Sequence, residues 1–248
     1  MLTRTAAARL SPDARRRVRR AADAALGPLG SVRGADTPRR WVALTFDDGP
    51  EPGSTEAVLG ALAETGATAT FFQLVERAER YPGLVGEVVA AGHEIGLHGI
   101  DHRRLTELPS STVHRLVVDG KRRLEDVAGV PITLFRPAYG SQTVRTLLAV
   151  RSAGLRVVVW GPSAEDWRDG SPEEVAGRAL SSICPGDVVL LHDGFETPPG
   201  DPLPRPTFDR GQVCRSLLAG LTERGYAGTS VTGLLTAGRP RTTAWFRP

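Results

Sequence analysis

Short apolar runs and helical patterns alternate along the chain from Trp41 onward, and this alternation restricts the fold more than any other feature. A glycine closes most of the helical patterns just before the next apolar run, where helices usually stop. Regular alternation of strand and helix is typical of a parallel sheet with helical connections. The sequence therefore predicts an α/β domain whose sheet is closed, or nearly closed, into a barrel. The predicted strands are 41–46, 69–73, 94–97, 132–135, 155–160, 187–191 and 226–231, and the predicted helices are 55–65, 81–91, 106–128, 141–153, 172–183 and 209–224.

Positive charge is concentrated at the start of the chain, where residues 1–40 contain ten arginines and three aspartates. The 248 residues together carry a formal charge of +3, so the rest of the chain is slightly acidic. This distribution gives no reason to expect nucleic acid as a partner of the main domain. We expect a basic N-terminal helical segment at 1–40, a main domain at 41–236 and a C-terminal tail at 237–248.

A helix is predicted over residues 11–26, beginning at Ser11-Pro12. Arginines nearly surround it, which favours a solvated helix docked on the barrel; contact with a membrane surface or an anionic partner is the alternative. No stretch approaches the roughly 20 apolar residues that span a bilayer. Arg4 and Arg9 interrupt the region where a secretory signal needs about 7–15 continuous apolar residues. We therefore expect no signal peptide and a cytoplasmic location.

Two adjacent carboxylates, Asp47 and Asp48, lie where the strand 41–46 opens into a loop at Gly49-Pro50. On an α/β scaffold, ligands collect at the carboxyl ends of strands. Neighbouring aspartates repel each other, so they need a cation or a proton between them. One can ligate a metal while the other stays free to move protons. For this segment alone, a solvated Asp-Asp-Gly turn is the alternative.

His98 and His102 follow the strand 94–97. Residues four apart lie on one side of a helical turn, so the spacing predicts that the two imidazoles are close enough to share a cation. With Asp48 from another strand end, they make a set of two histidines and one carboxylate with open coordination positions.

Three further strands end in polar residues: Arg136, Asp166 with Trp167, and His192. Each has an ordinary alternative, namely a surface ion pair for Arg136, a core position for Trp167 and a capped strand end for His192. Polar clusters that follow five of the seven predicted strands are hard to explain as independent accidents. They favour one shared site.

These segments, in their order along the chain, resemble the polysaccharide deacetylases, that is, the NodB-homology domain or carbohydrate esterase family 4. The resemblance covers roughly residues 41–235 and implies a distorted (β/α) barrel of seven strands that binds a divalent metal. The matching segments are Thr45–Pro50, His98 with His102, Arg136-Pro137-Ala138-Tyr139-Gly140, Asp166-Trp167 and Leu190-Leu191-His192.

The resemblance implies that Asp48, His98 and His102 are the metal ligands. Zinc is the expected ion, and cobalt or nickel are expected to replace it. Trp167 and Leu190 would form the walls of an acetyl pocket.

The resemblance also assigns catalytic roles. Asp47 would be the general base, held in place by Arg136. The metal and the backbone N–H of Tyr139 would stabilise the tetrahedral oxyanion. His192, paired with Asp166, would protonate the leaving amine.

One position departs from the family. Gly99 stands directly after the first metal histidine, where the family usually has a serine or threonine whose hydroxyl fixes the loop.

The expected activity is metal-dependent removal of an N-acetyl or other short N-acyl group from an amino sugar or a sugar-containing molecule. The alternatives are a deacylase or cyclic-amide hydrolase of a non-polymeric biosynthetic small molecule, and a weakly active relative that binds carbohydrate. The proline-rich loop 194–207 directly follows His192, so we expect it to overhang one side of the metal site. Prolines stiffen such a wall, which would close part of the open groove that a long polymer needs, and this predicts a preference for short substrates.

Overall fold

Seven parallel strands form a curled sheet at the centre of the computed structural model, which describes residues 30–197, 200 and 204–247. The helix predicted over residues 11–26 lies outside this range. The strands are β1 (Ser31–Asp36), β2 (Trp41–Asp47), β3 (Thr70–Leu74), β4 (Glu94–Gly99), β5 (Leu134–Phe135), β6 (Arg156–Val157), β7 (Val188–His192), β8 (Ala227–Thr229) and β9 (Arg239–Thr243). The helices are α1 (Ser54–Thr65), α2 (Val75–Arg80), α3 (Pro82–Ala90), α4 (Ser110–Ala128), α5 (Val144–Ser152), α6 (Pro172–Leu180), α7 (Arg210–Glu223) and α8 (Val231–Thr236).

The sheet has the strand order β6-β5-β4-β3-β2-β7, and β8 pairs with the first residues of β2. Between β6 and β7 the barrel is joined by irregular chain rather than by a full ladder. The Gly161 amide donates to the Val188 carbonyl (2.9 Å), and the Leu190 amide donates to the Pro162 carbonyl (3.0 Å). The predicted fold class, a distorted seven-stranded α/β barrel, is confirmed.

Strand β2 shows how the sequence builds the site. The apolar layer between sheet and helices contains Val42, Leu44 and Phe46. Ala43 instead packs against the apolar residues inside the barrel. Because side chains alternate along a strand, Asp47 shares the inward face of Ala43. The interior therefore changes from apolar to acidic along β2. Asp47 also lies in register with His192 of β7, which brings two predicted site residues to the same level.

Strands β1 and β9 are absent from the sequence-based prediction, which placed their residues in the N-terminal segment and the C-terminal tail. They pair with each other in antiparallel fashion, and β1 also bridges Val32 to Val158 and Gly34 to Asp187 of the barrel. Strand β9 reads Arg-Pro-Arg-Thr-Thr, so it lacks the apolar alternation by which strands are recognised.

The end of the barrel also differs from prediction. The strand predicted over 226–231 is shorter, and helix α8 begins at Val231. The Ser230 hydroxyl caps that helix by accepting from the Gly233 amide (3.0 Å). None of the helices in the described part of the chain is long and apolar enough to cross a membrane.

Candidate active site

Asp48, His98 and His102 converge at the carboxyl end of the sheet. The Asp48 Oδ1 atom lies 3.3 Å from Nε2 of His98 and 3.3 Å from Nε2 of His102. One potential ligand atom from each residue lies within 4.8 Å of the other two. Asp48 Oδ1 is buried and has no hydrogen-bond partner among the described residues. A buried carboxylate oxygen without a partner, facing two imidazole nitrogens, fits a divalent metal ion.

The histidines meet through a turn that the sequence did not predict. His98 is the fifth residue of β4, and the chain beyond Gly99 bends without forming a helix, so the predicted helical turn is wrong although the convergence is right. Gly99 has φ 129°, and a Cβ atom there would lie 2.8 Å from the Asp101 carbonyl oxygen. This conformation needs glycine, which gives the departure from the family a local reason.

His98 is oriented by a bond on its far side. Its Nδ1 lies 2.9 Å from the Arg136 backbone carbonyl. Because a carbonyl only accepts, Nδ1 carries a hydrogen, and Nε2 is the ring atom that faces Asp48. The ring of His102 packs 4.2 Å from that of Tyr139. Burial lowers the pKa of His102 to about 4, which keeps this imidazole neutral and able to ligate at neutral pH.

The second carboxylate of the pair, Asp47, is held by Arg136. Nη1 of Arg136 donates to Asp47 Oδ1 (2.7 Å) and to the Thr45 hydroxyl (2.7 Å). Arg136 is fully buried, with its guanidinium 4.2 Å above the Phe72 ring. Asp47 Oδ2 lies 3.9 Å from His98 Nε2. Arg136 thus orients Asp47 through its side chain and His98 through its carbonyl.

On the other side of the site, His192 is held by Asp166 and Arg210. Its Nδ1 lies 2.7 Å from Asp166 Oδ1, and its backbone amide donates to Asp166 Oδ2 (2.8 Å). Nη1 of Arg210 donates to the same Oδ2 (2.7 Å) and to the His192 carbonyl (3.1 Å). Burial lowers the pKa of His192, but the carboxylate of Asp166 and, further away, those of Asp48 and Asp47 outweigh it and raise the pKa to about 9.

These groups line one cavity of about 270 Å³. Eight of the ten site residues expected from the sequence lie in its wall. The other two, Arg136 and Asp166, lie directly behind it, bonded to Asp47 and His192. The eight are Asp47, Asp48, His98, His102, Tyr139, Trp167, Leu190 and His192. Tyr139 has φ 57° within the 3-10 turn Ala138–Gly140.

Several lining residues were not found from the sequence, namely Trp160, Phe195, Glu196 and Arg210. Arg210 is the first residue of α7, and a cation is unfavourable near the positive end of a helix dipole. This unfavourable position is the feature of the sequence that could have drawn attention to Arg210. Phe195 and Glu196 belong to the loop predicted to overhang the site.

The sequence profile that defines the polysaccharide deacetylases matches residues 34–158. This range contains the strands that carry Asp47 and His98, and also Arg136, which directly follows β5. The chain belongs to the polysaccharide deacetylase family. Among its relatives, the peptidoglycan-N-acetylglucosamine deacetylase of Bacillus cereus is 33% identical over 78% of this chain and 87% of its own length. The chitooligosaccharide deacetylase of Azorhizobium caulinodans is 36% identical over 62% of this chain and 73% of its own.

Solved structures of deacetylases superimpose on this chain. The Bc1960 peptidoglycan N-acetylglucosamine deacetylase superimposes with a TM-score of 0.75 at 25% identity, covering 90% of this chain and 98% of that one. The Bacillus subtilis peptidoglycan deacetylase PdaC gives 0.69 at 28% identity, covering 82% and 93%. A family pseudoenzyme from Bacillus anthracis gives 0.73 at 21% identity, covering 82% and 68%; this similarity concerns the fold alone.

Proposed function

We propose that this chain is a metal-dependent hydrolase that removes the N-acetyl group from an amino sugar or a sugar-containing molecule. The observation that carries the proposal is a metal-ligand set and two proton-transfer groups in the wall of one cavity. The relatives' names, which specify deacetylation of N-acetylated glycans, point the same way.

The ligand set supports zinc as the resident ion, with cobalt or nickel able to replace it. Imidazole suits these metals, and a set of one carboxylate and two histidines leaves coordination positions open. Asp48, His98 and His102 would hold the ion. When bound, a divalent ion lowers the pKa of water to about 7 and polarises an amide carbonyl.

Asp47 is proposed as the general base. Arg136 occupies Asp47 Oδ1, so Oδ2 remains available to take a proton from the attacking water. The oxyanion formed from the amide carbonyl would accept a hydrogen bond from the backbone N–H of Tyr139. Leu190 and Trp167 line the cavity, and we assign them to contacts with the acetyl methyl group.

His192 is proposed as the general acid. Its Nδ1 is bonded to Asp166, so the Nε2 hydrogen is the one available to the substrate nitrogen. Breakage of the C–N bond leaves acetate and a sugar amine, and the transferred proton makes that amine a viable leaving group. A raised pKa keeps His192 protonated at neutral pH, as this role requires.

Short N-acyl substrates are proposed to outperform long polymers, because one wall of the cavity is fixed. The Phe195 carbonyl accepts from Arg77 Nη2 (3.0 Å), and Arg77 Nε donates to Glu196 (2.9 Å). Arg77 Nη1 also donates to Glu51 (2.8 Å), which accepts in turn from the Phe195 amide (3.1 Å). This ion-pair network, Glu51–Arg77–Glu196, stiffens the segment 195–196 beside the metal-ligand set.

Acetate release from an N-acetylglucosamine glycoside, a short chitooligosaccharide, a peptidoglycan fragment and a soluble polymer tests the proposal at equal acetyl concentration. Release from at least one sugar substrate, lost with a chelator and restored by zinc, is expected. Activity confined to acylated amines that lack a sugar would favour the small-molecule deacylase instead. Cell fractionation tests the cytoplasmic location, which stays a prediction.

A further inference from the structure

Residues 245–247, which follow β9, fold back behind the turn that carries Tyr139. Trp245 is buried, and its indole Nε1 donates to the Gly140 carbonyl (2.9 Å). The Trp245 carbonyl accepts from the Gln142 side-chain amide (2.6 Å). Gln142 and Arg247 exchange two backbone hydrogen bonds (2.7 and 3.0 Å). Hydrogen bonds at both Gly140 and Gln142 therefore connect the segment 140–142 to residues 245–247.

Packing adds to these bonds. The rings of Trp160 and Trp245 lie 5.0 Å apart, and Trp160 also lines the cavity. Gly140 has φ 63°, and a Cβ atom there would approach Trp160 Cη2 to 2.7 Å and Trp245 Nε1 to 3.3 Å. The turn thus rests on two indole rings with no room for a side chain at Gly140.

We infer that Trp245 is a positioning residue for the Tyr139 backbone N–H. This inference rests on the proposed function, in which that N–H stabilises the oxyanion. Tyr139 has φ 57°, a conformation that a residue with a side chain keeps only when its surroundings enforce it. A donor aimed at a developing charge must be held within about 0.5 Å of its productive position. The indole N–H bond to the next carbonyl, that of Gly140, supplies such a restraint.

The test compares Trp245→Phe with Trp41→Phe in the full-length, metal-loaded protein. Phenylalanine keeps a ring at position 245 but removes the N–H donor. Trp41 is a half-buried tryptophan at the amino end of β2, at the end of the barrel opposite the site, and serves as the matched control. Measurements are kcat and KM for a short N-acetylated substrate, metal content, and hydrogen exchange of the peptide spanning residues 137–142.

Trp245→Phe is expected to lower kcat by about 10-fold, less than the roughly 100-fold that a 1 Å misplacement can cost. KM and metal content should stay at wild-type values, exchange at 137–142 should be faster, and Trp41→Phe should change neither kcat nor that exchange. An unchanged kcat with active wild type, or an equal fall for both variants, overturns the inference. If wild type deacetylates no substrate, the proposed function fails, and exchange alone decides: faster exchange keeps the restraint, and unchanged exchange rejects it.

Discussion

The cavity has a metal side, formed by Asp48, His98 and His102, and an acid side, formed by His192 and Asp166. The two sides differ in how completely their buried polar atoms are hydrogen-bonded. On the metal side, Asp48 Oδ1, the oxygen that faces Nε2 of His98 and of His102, is buried without a hydrogen-bond partner among the described residues. On the acid side, both oxygens of Asp166 are bonded, and His192 is held through its ring, its amide and its carbonyl. A buried polar atom without a partner costs about 1–3 kcal/mol. The metal side is therefore built for a ligand that completes it, whereas the acid side is complete by itself.

The two sides should also respond to different variables. Burial raises the pKa of Asp48, but the imidazoles of His98 and His102 outweigh it and hold that pKa well below its usual range. Asp48 is thus ionised throughout the working range of pH. His192 instead loses its proton near pH 9. The metal side should determine how activity depends on metal, and the acid side how it depends on alkaline pH.

The largest effect is expected from the double variant His98→Ala/His102→Ala. It removes two of the three ligands, so turnover should fall to that of chelator-treated wild type, a loss beyond the roughly 10²–10⁴-fold typical of one acid–base group. Metal analysis should find less than stoichiometric zinc. His93→Ala/His114→Ala, which changes two histidines outside the site, is the control. Full metal content in the site variant would contradict the ligand assignment.

The two proton-transfer groups should separate chemistry from metal binding. Asp47→Asn and His192→Ala should each lower kcat by about 10²–10⁴-fold while metal content stays stoichiometric, because neither is an assigned ligand. Single-turnover acetate release with parallel metal analysis measures this. Wild-type turnover of His192→Ala on an amide substrate would mean that another group is the acid.

A smaller effect, on pH dependence, is expected from Asp166→Asn. A group that must donate a proton works below its pKa, so wild-type activity should fall as pH rises through about 9. Without the Asp166 charge the pKa of His192 drops, and the alkaline limb should move to lower pH. Asp169→Asn, at an exposed position three residues along, is the control. An alkaline limb that stays in place would show that His192 does not set it.

The smallest effect concerns the fixed wall, which touches neither side directly. Arg77→Gln removes the ion pairs of Arg77 with Glu51 and Glu196. Partly exposed pairs contribute about 0.2–1 kcal/mol each, so the polymer-to-monosaccharide rate ratio should rise by roughly 2–5-fold. Arg215→Gln breaks a more exposed ion pair with Glu64, neither residue of which lines the cavity, and should leave the ratio alone. Wild-type rates that already climb steadily with chain length would contradict the short-substrate proposal.

The sequence predicted the place of a site residue correctly where that place depends only on the strand that carries the residue. Asp47, His98 and His192 each stand at the end of an apolar run, and ends of parallel strands meet at one edge of the sheet. The path from His98 to His102 was predicted wrongly, because spacing alone does not distinguish a helical turn from a bend at a glycine with positive φ.

Contacts made by distant segments could not be read from local pattern. Arg210 reaches Asp166 from the first turn of a helix, and its place in the site depends on how α7 packs on the barrel. Trp245 follows a polar strand, Arg239–Thr243, with no apolar periodicity. Both depend on tertiary packing, about which hydropathy and spacing carry no information.

We expect the cavity to become an active deacetylase when one metal ion binds to Asp48, His98 and His102. Zinc titration into chelator-treated protein, with acetate release followed on a short N-acetylated chitooligosaccharide, tests it most directly. Activity should rise linearly and reach a plateau at one equivalent of zinc per chain, with the Asp48→Ala variant inactive throughout. Full acetate release by the metal-free protein, or a plateau reached equally by Asp48→Ala, would contradict the claim.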